Sequence, residues 1–321
     1  MNGKNNPITK PKMRLSRFIY FNYGCNIQHE KRILLLKEGK LSEVDIFTYL
    51  CAIFETGTHM NFRLKNIPER TIRPRNYGLT MVMDKGMGLV AAKDFLSVAA
   101  PYVDIVKLGF GTGFVTNHLR EKIEIYRENN IPVYFGGTLF EAFLVRDQFD
   151  DYLSMVKDYG LNHVEVSDGS IIIPHIEKLG YIEKLAKEVT VLSEVGSKDA
   201  THIMPPYKWI ELMKAELEAG ATYVIAEARE AGNVGIYRGS GEVREGLVQE
   251  ILTQIPYEKI IWEAPQKAQQ VYFLELLGAN VNLGNIAPAE VIPLESTRLG
   301  LRGDTFTLFL EQEAKARANH S

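Results

Sequence analysis

Runs of β-branched and apolar residues recur along the chain from residue 78 onward, and several close on an acid followed by a turn signal. His163-Val164-Glu165-Val166-Ser167-Asp168-Gly169 is the fullest example. Val191-Leu192-Ser193-Glu194-Val195-Gly196, Val224-Ile225-Ala226-Glu227-Ala228-Arg229 and Ile260-Ile261-Trp262-Glu263-Ala264-Pro265 repeat it, each with a glutamate near its C-terminal end. Near-continuous apolar runs of this length indicate strands buried on both faces, and hence a parallel sheet. The pattern predicts strands over 78–83, 103–108, 132–135 and 163–169, three more ending at Glu194, Glu227 and Glu263, and an eighth over 280–283. Helix-period segments separate them, over 89–99, 117–129, 139–145, 149–159, 174–188, 206–219, 242–254, 266–277 and 288–299. Eight βα units in about 240 residues match the size of a (β/α)8 TIM barrel, and eight units favour closure over an open doubly wound sheet.

Residues 1–60 do not share this rhythm. They contain both cysteines, Cys25 and Cys51, scattered aromatics, and one plausible helix over 42–54. The expected organisation is an N-terminal extension over 1–60 and a barrel over 61–321. Met60 is an alternative natural start, and protein begun there is expected to fold and function without the preceding arm. Overall composition is that of a globular protein, 45% hydrophobic and 24% charged over 321 residues. A formal net charge of −3 gives no electrostatic case for nucleic acid or an acidic membrane. No apolar run approaches the roughly 18 residues of a membrane span. No secretory signal pattern is present, and the two cysteines form neither a disulfide framework nor a zinc spacing, so the cytoplasm is the default location.

The acids supply the candidate chemistry. Strand C-termini form the functional rim of such barrels, and Glu165, Glu194, Glu227 and Glu263 would converge there. Like charges at close range raise one another's pKa unless a cation intervenes. A hard divalent ion, Mg²⁺ first, suits an all-oxygen ligand set. The competing reading is that some of these acids cap helices or pair with nearby Lys and Arg. Lys85 and Lys107 end buried strands, where a lysine can be a general acid, a phosphate anchor, or one half of a structural ion pair. Lys198, in the turn after the fifth strand, is a weaker candidate. Gly109-Phe110-Gly111-Thr112-Gly113 misses the dinucleotide fingerprint and reads as a tight turn whose amides could meet an anion. The 232–241 loop, with Arg229 and Arg238 near it, reads as a mobile lid over an anionic substrate or as a solvated loop. Gly284-Asn285 falls where barrels often bind phosphate. Arg298 and Arg302 are spaced to share one helical face.

Several phrases are more particular than barrel physics requires. They are Gly78-Leu79-Thr80-Met81-Val82-Met83-Asp84-Lys85-Gly86, Phe135-Gly136-Gly137-Thr138-Leu139-Phe140-Glu141, Glu165-Val166-Ser167-Asp168-Gly169-Ser170, Glu263-Ala264-Pro265-Gln266-Lys267-Ala268-Gln269-Gln270 and Gly300-Leu301-Arg302-Gly303-Asp304-Thr305. Over about 62–310 the chain resembles the phosphosulfolactate synthase (ComA) family. The resemblance implies a (β/α)8 barrel that uses Mg²⁺ to add sulfite to phosphoenolpyruvate, giving (2R)-phosphosulfolactate for coenzyme M or another sulfonate. It implies a catalytic group of Lys107, Lys85 and Asp84, and a metal set of Glu165, Glu194, Glu227 and Glu263. The implied substrate contacts are Arg229, Gly136, Gly137, Asp168, Lys198, Asn285 and Arg302. A homo-oligomer is expected. Plant heat-stress-associated proteins resemble the same family, so a non-catalytic barrel with a stress or assembly role is one alternative. A lysine Schiff-base aldolase is another.

Overall fold

The computed structural model describes residues 60–196, 204–229 and 231–310. The N-terminal arm with its cysteines and expected helix, and Lys198, lie outside these residues. Among the described residues eight strands form one parallel sheet: β1 Thr80–Asp84, β2 Ile105–Leu108, β3 Val133–Phe135, β4 His163–Val166, β5 Thr190–Val195, β6 Tyr223–Ala226, β7 Ile260–Glu263 and β8 Leu283–Ile286. The sheet runs β3-β2-β1-β8-β7-β6-β5-β4. This is the order of a (β/α)8 barrel, with a seam where β3 and β4 meet. At that seam no strand ladder forms. Instead the Gly137 amide donates to Glu165 Oε1 across it at 2.6 Å.

Side chains alternate across each strand. Val82, Val106, Val133, Val164, Val191, Val224, Trp262 and Leu283 pack outward against the helix layer. Leu79, Met81, Ile105, Tyr134, Leu192, Tyr223, Ile225 and Ile261 fill the barrel interior. The connecting helices are α1 Leu89–Ala99, α2 Thr112–Val115, α3 Leu119–Glu128, α4 Gly137–Leu144, α5 Phe149–Asp158, α6 His175–Leu185, α7 Pro206–Glu218, α8 Glu245–Leu252, α9 Lys267–Leu277 and α10 Val291–Arg298. They follow the predicted segments closely. In addition, the short α2 begins inside the stretch read as a turn after β2. No helix among the described residues is long and apolar enough to cross a membrane.

Strand eight departs from expectation. It lies at Leu283–Ile286 rather than 280–283. Asn282 precedes it and ties neighbouring strand starts together, accepting from the Leu79 amide at 3.0 Å and donating to the Ile260 carbonyl at 3.1 Å. Gly284-Asn285, expected beyond the end of strand eight, lies within the strand. Thr80 pairs with Leu283 but Val82 pairs with Ile286, so β8 carries one residue more than β1 between those pairs. This is a β-bulge.

The N-terminal end of the barrel is closed by arginines. Arg298, fully buried at the end of α10, donates to the carbonyls of Ala279, Val281 and Leu79 at 2.6, 2.8 and 3.1 Å. Arg70 brings the segment before β1 onto the same end through Glu295, Asn280 and the carbonyls of Ala279 and Gly78. Arg75 pairs with Asp104 at 2.8 Å.

Candidate active site

The polar layer sits one turn of the pleat above the apolar interior. Lys107, Glu194, Glu227 and Glu263 each stand two residues beyond an inward apolar residue (Ile105, Leu192, Ile225 and Ile261 respectively) and therefore face the same lumen, which Glu165 also lines. Together they line a pocket of about 290 Å³ with Met83, Phe110, Gly137, Thr138, Ser170, Arg229 and Asn285. Lys107 is at its floor, 5% exposed. Its Nζ lies 3.0 Å from Glu165 Oε2, 3.1 Å from Glu263 Oε1 and 3.9 Å from Glu194 Oε2. Oxygens of Glu194, Glu227 and Glu263 all lie within 4.8 Å of one another.

Each carboxylate is also held from behind. Glu263 Oε2 accepts from the Ala228 amide at 3.0 Å, and Glu227 accepts from the Arg229 amide. Glu194 Oε1 lies 2.7 Å from the Ser167 hydroxyl, which also reaches Glu141. These contacts fix the acids without neutralising them. Burial works against the Lys107 ammonium, but Glu165, Glu263, Tyr134 and Glu194 outweigh it and hold its pKa well above the ordinary lysine range. Burial, then Glu194 and Glu165, raise the Glu263 carboxyl against the pull of Lys107. Four carboxylates thus face one ammonium. A hard divalent cation fits the donor chemistry, which is all oxygen and in surplus negative charge, and Glu194, Glu227 and Glu263 are the residues that could hold one.

The other expected site residues fall in several places. Asp84 faces the helix layer rather than the pocket, because Met83 takes the inward position. It accepts from Lys122 Nζ and the Tyr126 hydroxyl, both at 2.8 Å, and from the Gly86 and Met87 amides. That is a structural junction between β1 and α3. Lys85, the next residue, is exposed beyond the strand end and does not line the pocket. Asp168 pairs with buried Lys178 at 2.8 Å; Lys178 also meets Glu216 at 2.9 Å and the Glu194 carbonyl at 2.6 Å, so this outward cluster supports β5. Arg302 lies past the end of α10 and pairs with Asp304 at 3.0 Å, so it does not share a helical face with Arg298. The Gly137 amide is used by Glu165. A Cβ on Gly137 would come within 2.4 Å of Ser167 Cβ, and one on Gly136 within 3.0 Å of the Phe110 nitrogen, so both glycines serve close packing. Arg229 and Asn285 do line the pocket.

The 232–241 loop is a strap rather than a solvated loop. Ile236 and Tyr237 are buried, and Tyr237 Oη donates to the Glu263 carbonyl at 2.6 Å. Gln269 Nε2 donates to the carbonyls of Gly232 and Gly241. A Cβ at Gly235 would meet the Glu227 carbonyl at 1.9 Å, so only glycine lets the strap lie on that strand end.

Three supporting residues escaped the sequence reading: Tyr134, Glu141 and Ser167. Tyr134 is the register partner of Lys107 on the adjacent strand, and its hydroxyl lies between Met81 Sδ, at 2.6 Å, and the Glu165 carboxylate. The sequence held no signal for Tyr134, because its place beside Lys107 is set only when β2 and β3 pair. Glu141 and Ser167 stood inside phrases singled out for their particularity.

Comparisons with known proteins agree with this geometry. The profile of the (2R)-phospho-3-sulfolactate synthase (ComA) family matches residues 68–304. A phosphosulfolactate synthase of Methanothermobacter thermautotrophicus is 43% identical over 244 residues, which is 74% of this chain and 95% of that protein. One of Bacillus subtilis is 40% identical over 252 residues, 78% of this chain and 100% of that protein. Protein HEAT-STRESS-ASSOCIATED 32 of Arabidopsis thaliana is 21% identical over 271 residues, 74% of this chain and 92% of that protein. With its barrel, its ring of rim carboxylates and these relatives, the chain belongs to the (2R)-phospho-3-sulfolactate synthase family.

Proposed function

We propose that this chain is an enzyme that adds sulfite to phosphoenolpyruvate in the presence of Mg²⁺, forming (2R)-O-phospho-3-sulfolactate. The observation that carries the reading is the Lys107 ammonium, buried between Glu165 and Glu263, with oxygens of Glu194, Glu227 and Glu263 close to one another beside it. Both substrates are anions, and a pocket with four carboxylates and one ammonium would repel them. Mg²⁺, when bound, supplies the positive charge that offsets this surplus and stabilises charge building on the substrate carboxylate.

The chain's own residues do the rest. Sulfite is already a nucleophile and needs no base. Its sulfur forms a bond to the methylene carbon, the double-bond pair moves toward the carboxylate, and one proton is then required at the carbon bearing phosphate. Lys107 is suited to give it, since its neighbours keep it protonated at neutral pH. Glu165 and Glu263, at 3.0 and 3.1 Å, fix the direction of its Nζ. Arg229, which lines the pocket at its rim, would meet phosphate or sulfonate. The same charge state disfavours the Schiff-base alternative, which needs a neutral amine.

The test is to incubate the folded, Mg²⁺-supplied protein with phosphoenolpyruvate and sulfite, following sulfite loss and identifying the product by mass. No turnover under those conditions would overturn the proposal.

A further inference from the structure

We propose that Asn285 is a cation ligand: its side-chain Oδ1, turned into the pocket by the β8 bulge, completes the oxygen set of Glu194, Glu227 and Glu263. The inference rests on the reading that those carboxylates hold a divalent ion, and deepens it.

The bulge explains how the side chain gets there. Leu283 and Ile286 both pack in the outer core. Gly284 faces inward, since a Cβ on it would come within 2.5 Å of Met81 Cε and 2.9 Å of Ile261 Cγ2. Strict alternation would send Asn285 outward. The extra residue instead places it in the pocket lining, next to Gly284, which pairs with Glu263. The backbone conformation is the second observation. Asn285 has φ +56°, in the left-handed region that glycine adopts without penalty and that asparagine enters more readily than most other residues. The bulge thus holds an asparagine side chain at a position where glycine would be the least costly choice.

The third observation is the side chain itself. Asn285 is 5% exposed, and its Oδ1 is buried without a hydrogen-bond partner among the described residues. A buried amide oxygen ordinarily has a partner. This one shares a pocket with three clustered carboxylates, which are acceptors and cannot supply it, and the two cations lining the same pocket, Lys107 and Arg229, do not hydrogen-bond to it. Phosphoenolpyruvate and sulfite are also chiefly acceptors. What fits is a cation: three carboxylates, one amide carbonyl and water make a neutral-plus-anionic oxygen shell of the kind divalent ions take.

The test measures binding, apart from turnover. Mg²⁺ and Mn²⁺ are titrated into metal-free full-length protein by calorimetry, with Mn²⁺ binding followed in parallel by electron paramagnetic resonance. The variants are Asn285→Gly and Asn285→Asp. Asn285→Gly relieves the backbone while deleting the oxygen, so it is expected to melt at or above the wild-type temperature yet bind the ion about tenfold more weakly or worse, the scale of losing a metal-site contact. Asn285→Asp, which also tolerates this φ, is expected to bind at least as tightly as wild type. An Asn285→Gly affinity within twofold of wild type overturns the proposal. So does an unchanged ion affinity with a raised KM for phosphoenolpyruvate, which would make Asn285 a substrate contact. If the wild type binds no ion, the cation reading of the three glutamates fails as well. Binding by wild type with no effect in Asn285→Gly sinks the Asn285 assignment alone.

Discussion

The two ends of the barrel hold charge in opposite ways. At the N-terminal end Arg70, Arg73, Arg75 and Arg298 face two acids, Asp104 and Glu295. At the C-terminal rim four glutamates face Lys107. The surplus is similar in size and opposite in sign, but the remedies differ. The arginines spend donors on backbone carbonyls, such as Ala279, Val281 and Leu79 for Arg298. Their charge is met within the protein, and the result is a closed end that ties the entering chain to β1 and α10. The rim carboxylates accept from the Gly137, Ala228 and Arg229 amides, which orient them but leave their negative charge in excess. One end is complete without a ligand. The other is organised to receive one.

That difference predicts opposite phenotypes. The largest effect is expected at the rim: Lys107→Ala should lower kcat by roughly 10²–10⁴-fold, the usual worth of a positioned general acid, with a much smaller change in KM for phosphoenolpyruvate. Steady-state kinetics on protein shown to be folded by near-ultraviolet circular dichroism decide it, and a loss confined to KM would recast Lys107 as an anchor. At the other end, Arg298→Met should cost about 3–5 kcal/mol of stability, as removal of one side of a buried charged network does, while the folded fraction keeps its kcat. Urea denaturation and activity at low temperature test this pair of claims. A fall in kcat without loss of stability would break the comparison.

Smaller effects sharpen it. Glu194→Gln and Glu227→Gln should each raise the Mg²⁺ concentration for half-maximal activity by about tenfold or more, within the 10–100-fold range seen for metal-site changes. Unchanged Mg²⁺ dependence in both variants would place the metal elsewhere. The last prediction is a pH effect at the arginine end. Burial opposes the Glu295 carboxylate, but Arg70, Arg298 and Arg75 overcome it and hold its pKa below the ordinary 4.5. A folded-state pKa below the unfolded one means that the contribution is complete above about pH 4.5 and is lost as pH falls through the folded value. Denaturation midpoints measured from pH 6 downward should therefore decline on that acid side, and Glu295→Gln should flatten the decline. An equally steep acid limb in that variant would assign the loss to other carboxylates, among them Glu216, which Lys178 and His175 also hold low against the cost of burial.

Sequence alone determined the βα rhythm, the approximate bounds of the helices, and the location of four glutamates and Lys107 near strand C-termini. These are local properties. Period-2 and period-3.6 patterns belong to single elements, and a parallel sheet brings all its strand C-termini to one rim whatever the details of packing. Tertiary structure decided which side of a strand each polar residue took and what it met there. Asp84 follows inward Met83, so it faces Lys122 and Tyr126 in the helix layer instead of substrate. Asp168 and Arg302 found partners in Lys178 and Asp304. Arg298, spaced as if for a surface pair, became the plug of the N-terminal end because α10 delivers it beneath the strand starts. The sequence pattern puts Asn285 beyond the end of the eighth strand, where barrels often bind phosphate. Only the pairing of β8 with β1 shows it to be a bulge, because register is a relation between strands and is not encoded in either strand alone.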